Sequence, residues 1–133
     1  MEKTRHQMGL DKILELDKDG EKRLLDPLIG VAPELRGFIL NSFADYFYRD
    51  VLSMQEKEMM TTVVLLTLGN CEPQLELHIN ISLNAGNPPE KIIESFIQCL
   101  PYAGFPRVLN AVRVVKKVFD ERGIVVVDKT TMA

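Results

Sequence analysis

Histidine is the side chain best suited to moving a proton near neutral pH, and this chain has two, His6 and His78. His78 is the one set among apolar neighbours. In a helical reading Leu75 and Ser82 share its face and Ile79 adjoins it. Imidazole in such a setting can act as a general acid or base; the plainer alternative is a hydrogen-bonded structural histidine. Glu58 can pair with a histidine or take a proton, or it can simply begin a solvated helix beside Glu56 and Lys57. Cys71 is a candidate nucleophile if a histidine activates it, although no second cysteine stands close to it. Cys99 has an apolar context and reads as a core residue. Arg107, just after a Phe-Pro turn, offers a planar fork to a carboxylate, or is a surface cation. Tyr102 can hydrogen-bond a ligand or pack with its hydroxyl at the surface. The histidines and cysteines show no metal-ligand spacing, and there is no glycine-rich phosphate-binding pattern. Neither a metal nor an organic cofactor is implied.

Helices must position these groups. Thr4 to Leu16 reads as a short helix weakened by Gly9, and Asp17 to Lys22 as a turn. A second short helix over Glu21 to Leu28 is interrupted near Pro27, and Gly30 to Pro33 is a break. Pro33 to Tyr48 carries Leu35, Phe38, Ile39, Phe43 and Phe47 at helical spacing. That stripe predicts a core helix, or aromatics lining a pocket or subunit contact. After the connection Arg49 to Leu52, Ser53 and Glu56 form a capping-box pattern that opens a helix ending near Gly69. Met59, Met60, Val63 to Leu66 and Leu68 wrap most of its circumference, which predicts burial centrally or at an oligomer interface. Its β-branched run Thr61 to Val64 would also suit a strand, but capping and length favour helix.

The next helix, about Pro73 to Ala85, stops at Gly86. Asn87 is then expected to cap the following helix, with Pro88 in its first turn and Glu90 closing a capping box. That helix runs to about Leu100; Pro101, Gly104 and Pro106 punctuate the passage into a last helix, Arg107 to Glu121, with Gly123 beyond it. The tail IVVVD reads as a short strand or an extended arm packed on a neighbouring subunit. The fold class is all-α, a bundle of about six to seven helices over a single domain, residues 1–133.

Composition narrows the partners. At 46% hydrophobic and 26% charged the chain is an ordinary globular one. A net charge of -3 with no basic stripe argues against a nucleic-acid surface. The longest wholly apolar run, Val63 to Leu66, is too short to span a bilayer. Two cysteines fit a reducing compartment and the charged start MEKTRHQMGLDK lacks a signal core, so the expected location is cytoplasmic.

Three segments together resemble the carboxymuconolactone decarboxylase family: LSMQEKEMMTTVVLLTLG (Leu52 to Gly69), LELHINISLNAGNPPEKIIESFIQ (Leu75 to Gln98) and YAGFPRVLNA (Tyr102 to Ala111). They carry L-x-x-H-x-x-x-x-L-N-x-G, the helix piece EKIIE, and Y-x-G-F-P-x-x-x-N-A, with a weaker echo in RHQMGLDKIL. The resemblance implies an all-helical, alkylhydroperoxidase D-like fold and a homo-oligomer, commonly a hexamer built as a trimer of dimers. It implies two chemistries. One branch decarboxylates 4-carboxymuconolactone to 3-oxoadipate enol-lactone without a cofactor. The other reduces peroxides with a C-x-x-C pair followed by a histidine, and an upstream glutamate in the proton relay. His78 matches the family histidine, Cys71 the first cysteine of the pair, and Gln74 stands where the second would be. Glu58 matches the upstream glutamate with one residue more before His78 than usual. Gln74 cannot resolve a sulfenic acid, so the resemblance places the chain with the decarboxylase-like branch acting on a small-molecule substrate. A thiol-dependent peroxidase or a non-catalytic oligomeric binding protein are the alternatives.

Overall fold

The structure is a computed structural model that describes residues 1–127. Among these residues every regular element is helical and none is a strand, in two compact units that divide after Met54.

The first unit is built on α1 (Arg5–Leu16) packed against α2 (Pro33–Tyr46). Thr4 caps α1 through a reciprocal box: its hydroxyl accepts from Gln7 N, and Gln7 Oε1 accepts from Thr4 N at 2.8 Å. Gly9 does more than weaken the helix. A Cβ at this position would lie 2.0 Å from the Leu40 carbonyl oxygen, so the missing side chain is what lets α1 and α2 approach. A π-helical turn (Glu21–Leu25) and a 3-10 turn (Asp26–Leu28) break the chain where Pro27 removes a donor. Asp17, buried, is satisfied by Asp19 N at 3.0 Å and Arg23 Nη1 at 3.1 Å. The α2 stripe expected from periodicity is partly wrong. Phe43 is buried and stacks on Phe47 with centroids 4.5 Å apart, but Leu35 and Phe38 are exposed, and Leu40 and Ala44 face inward instead.

The second unit contains α3 (Met54–Leu68), α4 (Glu72–Asn84), α5 (Pro89–Gln98), α6 (Leu100–Ala103) and α7 (Phe105–Arg122). α7 runs along α4 and α5 and closes a core in which Ile79, Ile92, Phe96 and Val118 are fully buried. Polar ties reinforce the α4–α7 contact: Lys117 Nζ to Glu76 Oε1 at 2.6 Å, and Arg122 to the Asn80 and Asn84 side-chain oxygens at 3.0 and 2.9 Å.

Helix ends explain the remaining differences. α4 stops at Gly86, whose φ of 100° an L side chain would resist. Gly86 N bonds Leu83 O at 3.0 Å and Asn87 N bonds Ser82 O at 3.1 Å, the paired bonds of a Schellman motif. Asn87 therefore finishes α4 rather than capping α5, whose N-cap is Pro88 with no side-chain cap. The last helices are divided by Gly104 into the single turn α6 and the long α7. The same terminal pattern ends α7, where Ile124 N reaches Phe119 O at 2.9 Å. Beyond it the chain is no strand through residue 127: Ile124 and Val126 pack on the core of their own unit while Val125 and Val127 are exposed. The short strand expected of this tail is thus not formed within the described residues, and Asp128, its last residue, lies outside them.

Replacing Gly9 with alanine tests the α1–α2 approach. Helix propensity favours alanine by about 1 kcal/mol, but the clash with Leu40 outweighs it, and urea denaturation should show a net loss of about 2 kcal/mol. A stabilised variant would show that the two helices are not held this close.

Candidate functional site

α3 presents an unusual inner line. Glu58, Thr62 and Leu66, one turn apart, are its fully buried residues, and two of the three are polar. The Thr62 hydroxyl is satisfied within the helix by the Glu58 and Met59 carbonyls, both at 3.0 Å. Glu58 is different, because its carboxylate is 0% exposed and needs partners from elsewhere.

One partner is His78, at mid-helix on α4. Its Nδ1 lies 2.9 Å from Glu58 Oε2. The spacing along the chain is longer than the family pattern, yet the two side chains meet. The second carboxylate oxygen, Oε1, is buried with no hydrogen-bond partner. The His78 side chain is 15% exposed, so its outer edge reaches solvent while its inner edge is held by the carboxylate. With Glu58 ionised, Nδ1 carries the proton of this bond and Nε2 becomes the working nitrogen. Such a pair can hold an imidazole in one tautomer and stabilise its charged form, the arrangement required for proton delivery at Nε2.

Cys71 and Arg107 come together in a second place. Leu65, Gly69, Cys71, Glu72, Arg107 and Asn110 are among the residues lining a small cavity of about 10 Å³, room for roughly one water molecule. The Cys71 thiol donates to the Leu65 carbonyl at 3.0 Å. That carbonyl also takes Gly69 N at 3.1 Å, so the thiol shares in closing the end of α3. The Arg107 side chain passes beside Gly69, where the φ of 69° rather than space calls for glycine, since a Cβ would stand in ordinary contact 3.4 Å from Arg107 Nε. Cys71 and His78 lie seven residues apart on the α4 path, about 10 Å along a helix axis. Tyr102, on α6, is 85% exposed and does not line this cavity. Cys99 is buried, its thiol donates to Ser95 O at 3.2 Å, and burial pushes its pKa up.

Sequence reasoning missed one group at this end of the molecule. Asn87, taken for a helix cap, is buried, and its side-chain Nδ2 donates to Ser82 Oγ at 2.8 Å and to Gln55 O at 3.0 Å. The signal available was Asn followed by two prolines, which reads equally as a helix start. Among the described residues, no group of three His, Cys, Asp or Glu is placed to hold a metal ion, and no helix is long and apolar enough to cross a membrane.

Compared with known protein families, residues 33–117 match the model described as the carboxymuconolactone decarboxylase family. No curated protein matches the chain.

The two thiols should separate by reactivity. Because the raised pKa of Cys99 leaves less thiolate at neutral pH, iodoacetamide should modify Cys71 first, and Cys99 should follow only as pH rises or the chain unfolds. Peptide mass spectrometry reads the order; equal labelling at neutral pH would contradict the burial of Cys99.

Proposed function

Because the chain belongs to the carboxymuconolactone decarboxylase family, we propose that it is a lyase that removes CO2 from a small carboxylated lactone, such as 4-carboxymuconolactone or a related acid, without a cofactor. Membership by itself supports a decarboxylase-like or alkylhydroperoxidase-like function. The observation that favours the first is Gln74, which stands where a dithiol cycle needs its second cysteine; the Glu58–His78 pair, which suits proton transfer in either branch, is the group left to act.

Decarboxylation breaks the bond between the ring carbon and its carboxylate. The electron pair left behind enters the ring and passes through the conjugated double bond to the lactone carbonyl oxygen. A proton must then reach the carbon next to the lactone carbonyl, which leaves the double bond at the carbon that lost CO2 and gives the enol-lactone. His78, protonated on both nitrogens, gives its Nε2 proton to the carbon next to the carbonyl and keeps Nδ1–H on Glu58. It regains a proton from solvent at its exposed edge. Glu58 fixes the ring through Nδ1 during the transfer. Arg107, an exposed cation at the rim of the Cys71 cavity, is the group assigned to a second substrate carboxylate in this reading. Tyr102 is the further substrate-binding group in this reading.

The water-sized cavity beside Cys71 favours a second reading, since it admits a peroxide oxygen and not a lactone. There the thiolate attacks the O–O bond, the alcohol or water leaves, and the sulfenic acid is reduced by two equivalents of an external thiol. The thiol hydrogen bond to Leu65 and the glutamine at position 74 make this the weaker of the two.

The chain is further read as one functional domain, cytoplasmic and homo-oligomeric, a hexamer arranged as a trimer of dimers. Two apolar stripes support assembly. On α3, Met60, Val64 and Leu68 are 56%, 54% and 64% exposed, and on α7 Phe105, Leu109 and Val112 form another exposed line.

On a lactone substrate followed by CO2 release, His78→Ala should lower kcat by about 10²- to 10⁴-fold, and Glu58→Gln should also lower it. Unchanged turnover in His78→Ala would remove the catalytic assignment. If no lactone turns over and peroxide consumption is lost in Cys71→Ser, the redox reading takes its place. Light scattering should give a mass well above one chain that falls in Leu109→Glu; a monomer in both would end the oligomer reading.

A further inference from the structure

We propose that Asn87 is a positioning residue for the Glu58–His78 pair: from the turn after α4 it holds the first turn of α3 in the register that brings the carboxylate to the imidazole. This rests on the reading of that pair as the proton-delivering site.

The connections are specific. Gln55 lies one turn before Glu58 on α3, and Ser82 lies one turn after His78 on α4. Asn87 Nδ2 donates to Gln55 O at 3.0 Å and Ser82 Oγ at 2.8 Å, so one amide bridges the two helices directly beside the pair. A reciprocal bond runs the other way, Gln55 Nε2 to Ala85 O at 3.1 Å. Gly86 leaves room for it, since a Cβ there would meet Gln55 Nε2 at 2.8 Å.

The bridge adds polar register to an apolar contact that is only partial at that end of α3, where Met59 and Val63 are half-buried against the core. Leu66, the fully buried apolar residue of α3, stands eight residues from Glu58, about 12 Å along the helix. The inner positions nearer the pair are Glu58 itself and Thr62, whose hydroxyl bonds its own helix. A shift of α3 by about 1 Å would stretch the 2.9 Å contact out of hydrogen-bond range. Asn87 is buried and donates to a backbone carbonyl, so neither aspartate nor alanine can replace it: aspartate removes the donor and sets a carboxylate against the Gln55 carbonyl.

The test reads the pair without substrate. In ¹⁵N-labelled protein, the His78 Nδ1–H proton bonded to Glu58 should give a downfield resonance, with Glu58→Gln as the broken-pair reference. Asn87→Ala should keep its helical circular dichroism yet move this resonance toward the reference. Thr67→Ala, an exposed change on the same helix, should leave it in place. On an active substrate kcat should fall roughly tenfold to a hundredfold with KM little changed. A folded Asn87→Ala with the parental resonance would overturn the proposal. Should that variant not fold, Gln55→Ala and Ser82→Ala are read the same way, and parental resonances in both would overturn it equally. The absence of any lactone turnover would count against the proposed reaction while the resonance still decides the role of Asn87.

Discussion

A carboxylate with no exposure and a single hydrogen bond is an expensive thing to bury. An unsatisfied polar atom costs on the order of 1–3 kcal/mol, more when charged. Glu58 carries one such atom, and its other oxygen is secured only by His78. Packing alone would favour a leucine at this position. The neighbouring structure makes sense around that cost. Thr62 turns its hydroxyl onto its own helix, Asn87 and Gln55 cross-link the adjoining turns, and the Schellman ending of α4 places Asn87 where its amide can reach.

The geometry also separates two kinds of chemistry that the family contains. The acid–base pair lies between α3 and α4, whereas the thiol lies at the junction that ends α3 and begins α4, with Arg107 arriving from α7. The thiol hydrogen is used in closing a helix, and the other cysteine is held in the core with its hydrogen bond made to its own helix. A buried carboxylate–imidazole pair is thus in contact, while the chain offers no second thiol beside Cys71 at position 74.

Much of this architecture was legible in the residues. Gly86 and Gly123 mark their helix ends because backbone conformation is a local property, and Thr4 with Gln7 forms a box within four residues. Faces were harder. In α2 several apolar registers overlap, and only the close passage of α2 over Gly9 of α1 selects Leu40 and Ala44 over Leu35 and Phe38. α3 is apolar nearly all round, so its periodicity carries no preferred side, and its inner line is fixed by a histidine 20 positions away. Asn87 was misread for a related reason: a side chain able to cap a helix can also bridge two, and the choice depends on which partners tertiary structure brings near. The candidate residues were visible as types; their pairing was not.

The inner and outer lines of α3 have a consequence for how the chain folds. By hydrophobicity alone the helix could also sit the other way round, with Met60, Val64 and Leu68 inward and Glu58, Thr62 and Leu66 in water. Half a turn about its own axis would bury those three side chains, worth about 3 kcal/mol for the surface they now expose. The native sequence is therefore locally frustrated at the helix that carries its carboxylate. A newly made chain has a rolled arrangement of α3 to discriminate against, one in which Glu58 and His78 no longer meet. The polar contacts beside Glu58 then act as a folding selector as well as a support for the site.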